Sequence, residues 1–257
     1  MRGRSIFQIF FEMKRGFYNI LAAQFLSSLA DNALLIAAIA LLASIQAPDW
    51  MTPLLKLFFV VSYVVLAAWV GIFADLMPKG RVMFITNAVK VGGCLLMLFG
   101  SHPLLSYAVV GIGAAAYSPA KYGILTELLP PEKLVVANGW IEGLTVVSII
   151  LGVVLGGVLI KPEVAGFILE TLHLPAIGLD TDPEAALVMV GIIYALAAAV
   201  NLTIPATGVR YARPNFEPIA SIKNFILSCS LLWHDKLGQI SLSVTTLFWG
   251  AGAVLQF

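Results

Sequence analysis

Asp31 is the residue with the most chemistry to offer. It stands inside an otherwise apolar stretch, Ala22-Ala23-Gln24-Phe25-Leu26-Ser27-Ser28-Leu29-Ala30-Asp31-Asn32-Ala33. A carboxylate at the centre of a bilayer costs about 2.5–3.5 kcal/mol on insertion scales. A proton, a bound cation, a basic side chain or a water-filled cavity has to offset that cost. Gln24, Ser28, Asp31 and Asn32 recur at i, i+4, i+7 and i+8. On a helix these positions share one arc, so they form a polar stripe that faces inward. The stripe suits a cation or a polar headgroup. The competing reading is structural, with Asp31 pairing Lys90 or Lys121 to lock helices together.

A second group lies in Gly111-Ile112-Gly113-Ala114-Ala115-Ala116-Tyr117-Ser118-Pro119-Ala120-Lys121-Tyr122-Gly123. Its small residues allow close helix packing, and Pro119 frees a carbonyl that a cavity can accommodate. Tyr117 and Lys121 join the candidate substrate- or cation-binding set. Lys121 either snorkels to headgroups or meets an anionic ligand group. Glu142 is a further intramembrane acid, and Lys90 could pair with it. Gly143, Gly152 and Gly156 follow it at spacings that suit small-residue helix packing.

Other chemistries are excluded by type and spacing. His102, His173 and His234 are isolated, and positions 107, 178 and 239 are Tyr, Gly and Gln, so no H-x-x-x-x-D acyltransferase pattern exists. No phosphate-binding P-loop and no metal-ligand spacing occurs. Gly111 to Ala116 fits G-x-G-x-x-A, but no strand–helix–strand unit surrounds it. The expectation is therefore a non-enzyme without cofactor or metal, and without nucleic acid as partner. Cys94 falls in an apolar run and Cys229 in a polar linker, so a disulfide between them is not expected.

The elements that carry these residues are set by composition. The chain has 257 residues, 60% hydrophobic and 11% charged, against about 25% charged in soluble domains. That depletion at this length indicates an all-α membrane protein. Six apolar runs near the ~20 residues that cross ~30 Å of hydrocarbon occupy roughly 20–43, 55–77, 82–100, 104–128, 135–160 and 185–204. A seventh begins near Ile240, and its apolar end at Phe257 reads as a truncated helix. Residues 1–204 are thus expected to form a six-helix half, 205–239 a linker and 240–257 the start of a seventh helix. Within the linker Ile219, Ile222, Phe225 and Ile226 recur at helical spacing, the pattern of an amphipathic interfacial helix. Residues 1–18 read as a retained surface segment rather than a cleaved leader, because Glu12, Lys14 and Arg15 break the short apolar patch.

Base placement gives orientation. With the amino terminus in the cytoplasm, twelve bases fall on the inner side: Arg2, Arg4, Lys14, Arg15, Lys79, Arg81, Lys121, Lys133, Arg210, Arg213, Lys223 and Lys236. Only Lys56 and Lys161 fall outside. The acidic stretch 161–184 is then an outer loop.

Between the second and third runs stands Gly71-Ile72-Phe73-Ala74-Asp75-Leu76-Met77-Pro78-Lys79-Gly80-Arg81. Its Gly-x-x-x-Asp-x-x-x-Lys-Gly-Arg spacing resembles the signature between helices 2 and 3 of the major facilitator superfamily, with Leu76 where a base usually follows the acid. Gly143, Gly152 and Gly156 partly resemble the superfamily's antiporter motif, with Gly157 in place of its proline. Within the superfamily, four stretches resemble bacterial lysophospholipid transporters: Gln24–Ser27 with Asp31–Leu35, Lys79–Met83, Gly113–Leu125 and Phe248–Gly252. That resemblance implies a twelve-helix fold in two halves and a flippase for lysophosphatidylethanolamine and related lysolipids, working by alternating access in the bacterial inner membrane. It implies lysophospholipid and membrane lipids as partners, a coupling cation, and a cytoplasmic lysophospholipid acyltransferase system that consumes the product. It also implies that Gly71, Asp75, Lys79, Gly80 and Arg81 form a gating turn, with Asp75, Lys79 and Arg81 pairing across helix ends. Two other readings stay open: a carrier for a drug or small metabolite, and a truncated membrane protein that transports nothing.

Overall fold

The computed structural model describes residue 13, residues 15–209, residue 211 and residues 217–254. The basic segment ahead of residue 13, Lys14, Arg210 and Arg213 lie outside the described residues, as does the apolar end at 255–257. Among the described residues the chain is helical, without strands, which is the all-α class expected. The helices are α1 (Arg15–Ser44), α2 (Met51–Asp75), α3 (Lys79–Leu98), α4 (Pro103–Leu128), α5 (Pro131–Leu159), α6 (Pro162–Thr171), α7 (Asp182–Leu202), α8 (Pro218–His234) and α9 (Lys236–Val254).

Proline marks most of the starts. Pro103, Pro131, Pro162, Pro183 and Pro218 occupy first-turn positions, where the missing N–H costs nothing and the fixed φ suits a helix. α7 adds a capping box, in which the Glu184 carboxylate accepts from the Thr181 N–H at 2.9 Å. Pro119 lies inside α4 without ending it.

Five helices, α1, α2, α3, α5 and α7, are long and apolar enough to cross a membrane. α4 has the length but is less apolar, since glycine, alanine, serine and tyrosine replace large aliphatic residues along it. It trades hydropathy for proximity. A Cβ on Gly111 would stand 2.7 Å from the Phe59 carbonyl oxygen of α2, and one on Gly113 would stand 2.7 Å from the Thr86 carbonyl oxygen of α3. The small residues of this stretch therefore do the close packing expected of them. α4 packs between α2 and α3, while α7 packs against α1 and α3, and α5 against α1.

Two apolar clusters fill the bundle. One includes Leu34, Leu42, Tyr107, Leu187 and Val190. The other includes Phe17, Ile20, Met83, Ile124 and Ile141. Between them runs a belt of buried polar side chains: Gln24, Ser27, Ser28, Asn87, Lys90, Thr145 and Ser148.

The stretch 161–184, read from sequence as a loop, holds α6 and a 3₁₀ turn, Leu174–Ile177. Ala165, Ile168 and Leu169 fall at helical spacing and bury against the first cluster, which is why the segment folds. The linker helix appears as α8, with Ile219, Ile222, Phe225 and Ile226 exposed. α9 begins four residues before Ile240, at Lys236, where the Asp235 carboxylate accepts from the Gly238 N–H at 2.8 Å. Cys94 is buried and Cys229 exposed, both as free thiols.

Candidate functional site

Asp31 sits near the midpoint of α1, about 24 Å from its start and about 20 Å from its end at ~1.5 Å per residue. Lys90 of α3 donates to both carboxylate oxygens, at 2.8 and 3.0 Å. Tyr194 of α7 donates its hydroxyl to Oδ1 at 2.7 Å. The third Lys90 bond goes to Ser27 Oγ at 2.9 Å, and Ser27 donates onward to Asn87 Oδ1 at 2.8 Å. Lys90 Nζ also lies 5.4 Å from the ring centroids of both Tyr117 and Tyr194, within cation–π range. One acid, one base and their hydrogen-bond partners thus join α1, α3 and α7 at mid-depth.

The structure decides between the sequence alternatives. Lys90, not Lys121, pairs with Asp31. Glu142 does not take Lys90; it accepts from the Tyr122 hydroxyl. Lys121 is buried, stands 4.3 Å from the Tyr122 ring centroid, and forms no ion pair among the described residues. Burial differs within the central pair: the Lys90 side chain is 1% exposed and that of Asp31 21%. The acid therefore keeps one side open while the base is enclosed.

The polar stripe of α1 faces inward as expected, but its members part company. Gln24 donates to Thr145 Oγ1 of α5 at 3.0 Å. Asn32 turns back to the Ser28 carbonyl oxygen at 2.8 Å. Only Asp31 of the named set, with Ser27 beside it, reaches α3. Tyr117 is buried in α4, and its hydroxyl has no hydrogen-bond partner among the described residues.

Glycines hold this arrangement together. A Cβ on Gly113 would stand 2.8 Å from Lys90 Cγ, so α4 leaves room for the lysine stem. A Cβ on Gly152 would meet the Leu29 carbonyl oxygen at 2.5 Å and Asn32 Cβ at 2.8 Å, and one on Gly156 would meet Ile36 Cβ at 2.7 Å. Gly152 therefore seats α5 against the polar stripe of α1, and Gly156 seats it against the apolar turn that follows. Gly143 does not belong with them. It faces open space although Thr145, two residues on, bonds α1, and the packing expected of it is corrected accordingly.

The turn between α2 and α3 makes a second polar cluster. Lys79 is buried, pairs with Asp75, donates to the Ala74 carbonyl oxygen at 2.9 Å and lies 4.0 Å from Glu127 Oε1 at the end of α4. Thr207 and Tyr211, in the segment after α7, both donate to Glu127. Tyr211 also lends its ring to Lys79, 4.4 Å from the centroid. Its hydrogen bond to Glu127 favours the neutral phenol and pushes its pKa up. Gly80 fits closely beneath Asn201 and Ile204, while Gly71 faces open space. Arg81 is exposed and makes no ion pair among the described residues, so the three-way pairing expected for Asp75, Lys79 and Arg81 reduces to Asp75 and Lys79, with Glu127 as the further acid.

Over residues 20–257 the sequence matches the Major Facilitator Superfamily model. The chain belongs to that superfamily. Among its relatives, the lysophospholipid transporter LplT of Yersinia enterocolitica is 42% identical over 245 residues, which is 95% of this chain and 56% of the relative. The same-named protein of Yersinia pestis (strain Pestoides F) is 43% identical over the same shares. The chain spans about half the length of these curated relatives. As a major facilitator bundle it presents two polar clusters, one at mid-depth and one at the α2–α3 turn.

Sequence reasoning counted Ser27 only among the polar groups beside Asp31, and missed Asn87 and Tyr194 in the central cluster and Glu127, Thr207 and Tyr211 at the turn. It also named Lys90 only as one of two partners for Asp31. Asn87 and Lys90 stand at i and i+3 in a membrane-length helix. That spacing, one face carrying an amide and a base, is the signal that could have found them.

Proposed function

We propose that this chain is part of a carrier that moves lysophospholipids, such as lysophosphatidylethanolamine, across the bacterial inner membrane by alternating access. Residues 1–204 serve as its first half, 205–239 as the linker and 240–257 as the start of the second half. The carrying observation is the 42–43% identity, over 95% of this chain, to proteins named lysophospholipid transporters. The Asp31–Lys90 pair supports it physically. A membrane-buried ion pair is costly unless retained for a purpose, and this one has an acid open on one side.

In this reading Asp31 receives the headgroup or a coupling cation, with Gln24, Ser28, Asn32, Tyr117 and Lys121 nearby on α1 and α4. The turn at Asp75 and Lys79 holds one end of the bundle closed. The amino terminus and that turn face the cytoplasm, as the twelve-to-two distribution of bases supports. Delivered lysolipid is then consumed by a cytoplasmic acyltransferase system.

The test is uptake of fluorescent lysophosphatidylethanolamine by vesicles that carry the full-length protein, with lysolipids, drugs and small metabolites as competitors. Competition by lysolipids alone is the expected result. Competition by drugs or metabolites without lysolipids would make this a different carrier, and no uptake of any kind would remove the transport reading.

A further inference from the structure

Resting on the reading of the central cluster as a headgroup site, we infer that Lys90, Asn87 and Tyr117 form a subsite for a phosphodiester anion, and that Asp31 stands in for that anion while the site is closed. Lys90 donates to Ser27 Oγ, so the Ser27 proton is free to go to Asn87 Oδ1 at 2.8 Å. The Asn87 amide turns its oxygen toward Ser27, which leaves Nδ2 as a donor. Asn87 is fully buried, yet Nδ2 has no acceptor among the described residues. The Tyr117 hydroxyl, on a side chain 4% exposed, has none either. Buried polar groups are rarely left so. Here one belongs to Asn87, joined to the Lys90 ammonium through Ser27, and the other to Tyr117, whose ring centroid lies 5.4 Å from Lys90 Nζ.

Two donors short of acceptors beside a cation describe a site for an oxyanion. A phosphodiester brings one negative charge and two non-ester oxygens, enough to take Lys90 together with Asn87 Nδ2 or the Tyr117 hydroxyl. Charge-assisted bonds of this kind are the stronger class. The closed state is neutral because Asp31 supplies the missing negative charge. When the anion arrives, Lys90 exchanges the carboxylate for phosphate. Asp31 keeps the Tyr194 hydroxyl, at 2.7 Å, and turns its open side to an ammonium or hydroxyl of the headgroup. The acid then holds whatever donor the headgroup carries, while the three residues read the group that all such lipids share.

Tyr117→Phe is the clean variant, since it deletes a hydroxyl that no described protein group uses. Asn87→Leu is the second. In the full-length protein, thermal stability of Tyr117→Phe should equal or exceed that of the native protein. Its affinity for lysophosphatidylethanolamine should fall roughly tenfold, the scale of one hydrogen bond to a charged group, while binding of a monoacylglycerol with the same acyl chain stays unchanged. Asn87→Leu should show the same contrast. If the native protein binds lysolipid and both variants bind it equally well, the subsite is wrong while the headgroup reading stands. If the native protein binds no lysolipid, the headgroup reading itself fails.

Discussion

At the residue scale, the central fact is an ion pair that should be worth more as a pair than either member alone. Removing one partner of a buried pair costs about 3–5 kcal/mol because the other charge is stranded. Lys90→Met should therefore destabilise the folded protein strongly. Combining it with Asp31→Asn should recover much of the loss, since no buried charge then remains. Thermal unfolding of the singles and the double reads this as a double-mutant cycle, and additive losses would contradict a direct pair. A second prediction concerns Tyr211. Its bond to Glu127 favours the protonated phenol, so it should titrate above the ordinary ~10 of free tyrosine. Glu127→Gln should bring it back down, as measured by the ultraviolet absorbance of the phenolate. Asp31 was legible in the sequence because a lone acid in an apolar run needs an explanation. Its partner was not. Lys90 and Lys121 are equally basic on paper, and only the rotation of α3 and α4 about their own axes selects one. Glu127 was invisible for a related reason: an acid near a helix end needs no partner until the fold folds the post-α7 segment back over it.

At the element scale, glycine decides which helices touch. Gly152→Leu and Gly156→Leu should push α5 off α1, because even a Cβ at Gly152 meets the Leu29 carbonyl oxygen at 2.5 Å. Overpacking of this kind costs about 1–3 kcal/mol or more. Gly143→Ala should be neutral in stability, since that position faces open space; a loss as large as that at Gly152 would contradict the placement. The spans themselves could be read within a few residues, for apolar length and first-turn proline are local signals. The packing role of the glycines was only half legible. Small residues recur along α5 at several spacings, and the sequence does not say which face meets α1. α4 shows the opposite limit, a bundle helix whose small residues lower its hydropathy and raise its contact with both neighbours. The segment 161–184 was misread as loop because its acids and prolines outweigh a short apolar stripe that buries only once the bundle exists.

At the scale of the whole molecule, two polar clusters sit at different depths of one apolar bundle. One joins α1, α3 and α7, and the other ties the α2–α3 turn to the end of α4 and the segment beyond α7. A carrier that alternates its access needs contacts that can be exchanged. In the proposed carrier, the neutral ion pair with one open side and the turn held by Lys79 would be contacts of that kind. The most direct test is the rate of fluorescent lysophosphatidylethanolamine uptake by vesicles that carry the full-length protein with and without Asp31→Asn. Asparagine keeps the shape and can still accept from Tyr194, but it strands the Lys90 charge. Uptake is therefore read per folded protein, and the Asp31→Asn, Lys90→Met double variant, which leaves no stranded charge, is measured beside it. Uptake reduced at least tenfold, with the protein still folded, is the predicted result, and uptake at the native rate would contradict the assignment of Asp31 as the centre of the site.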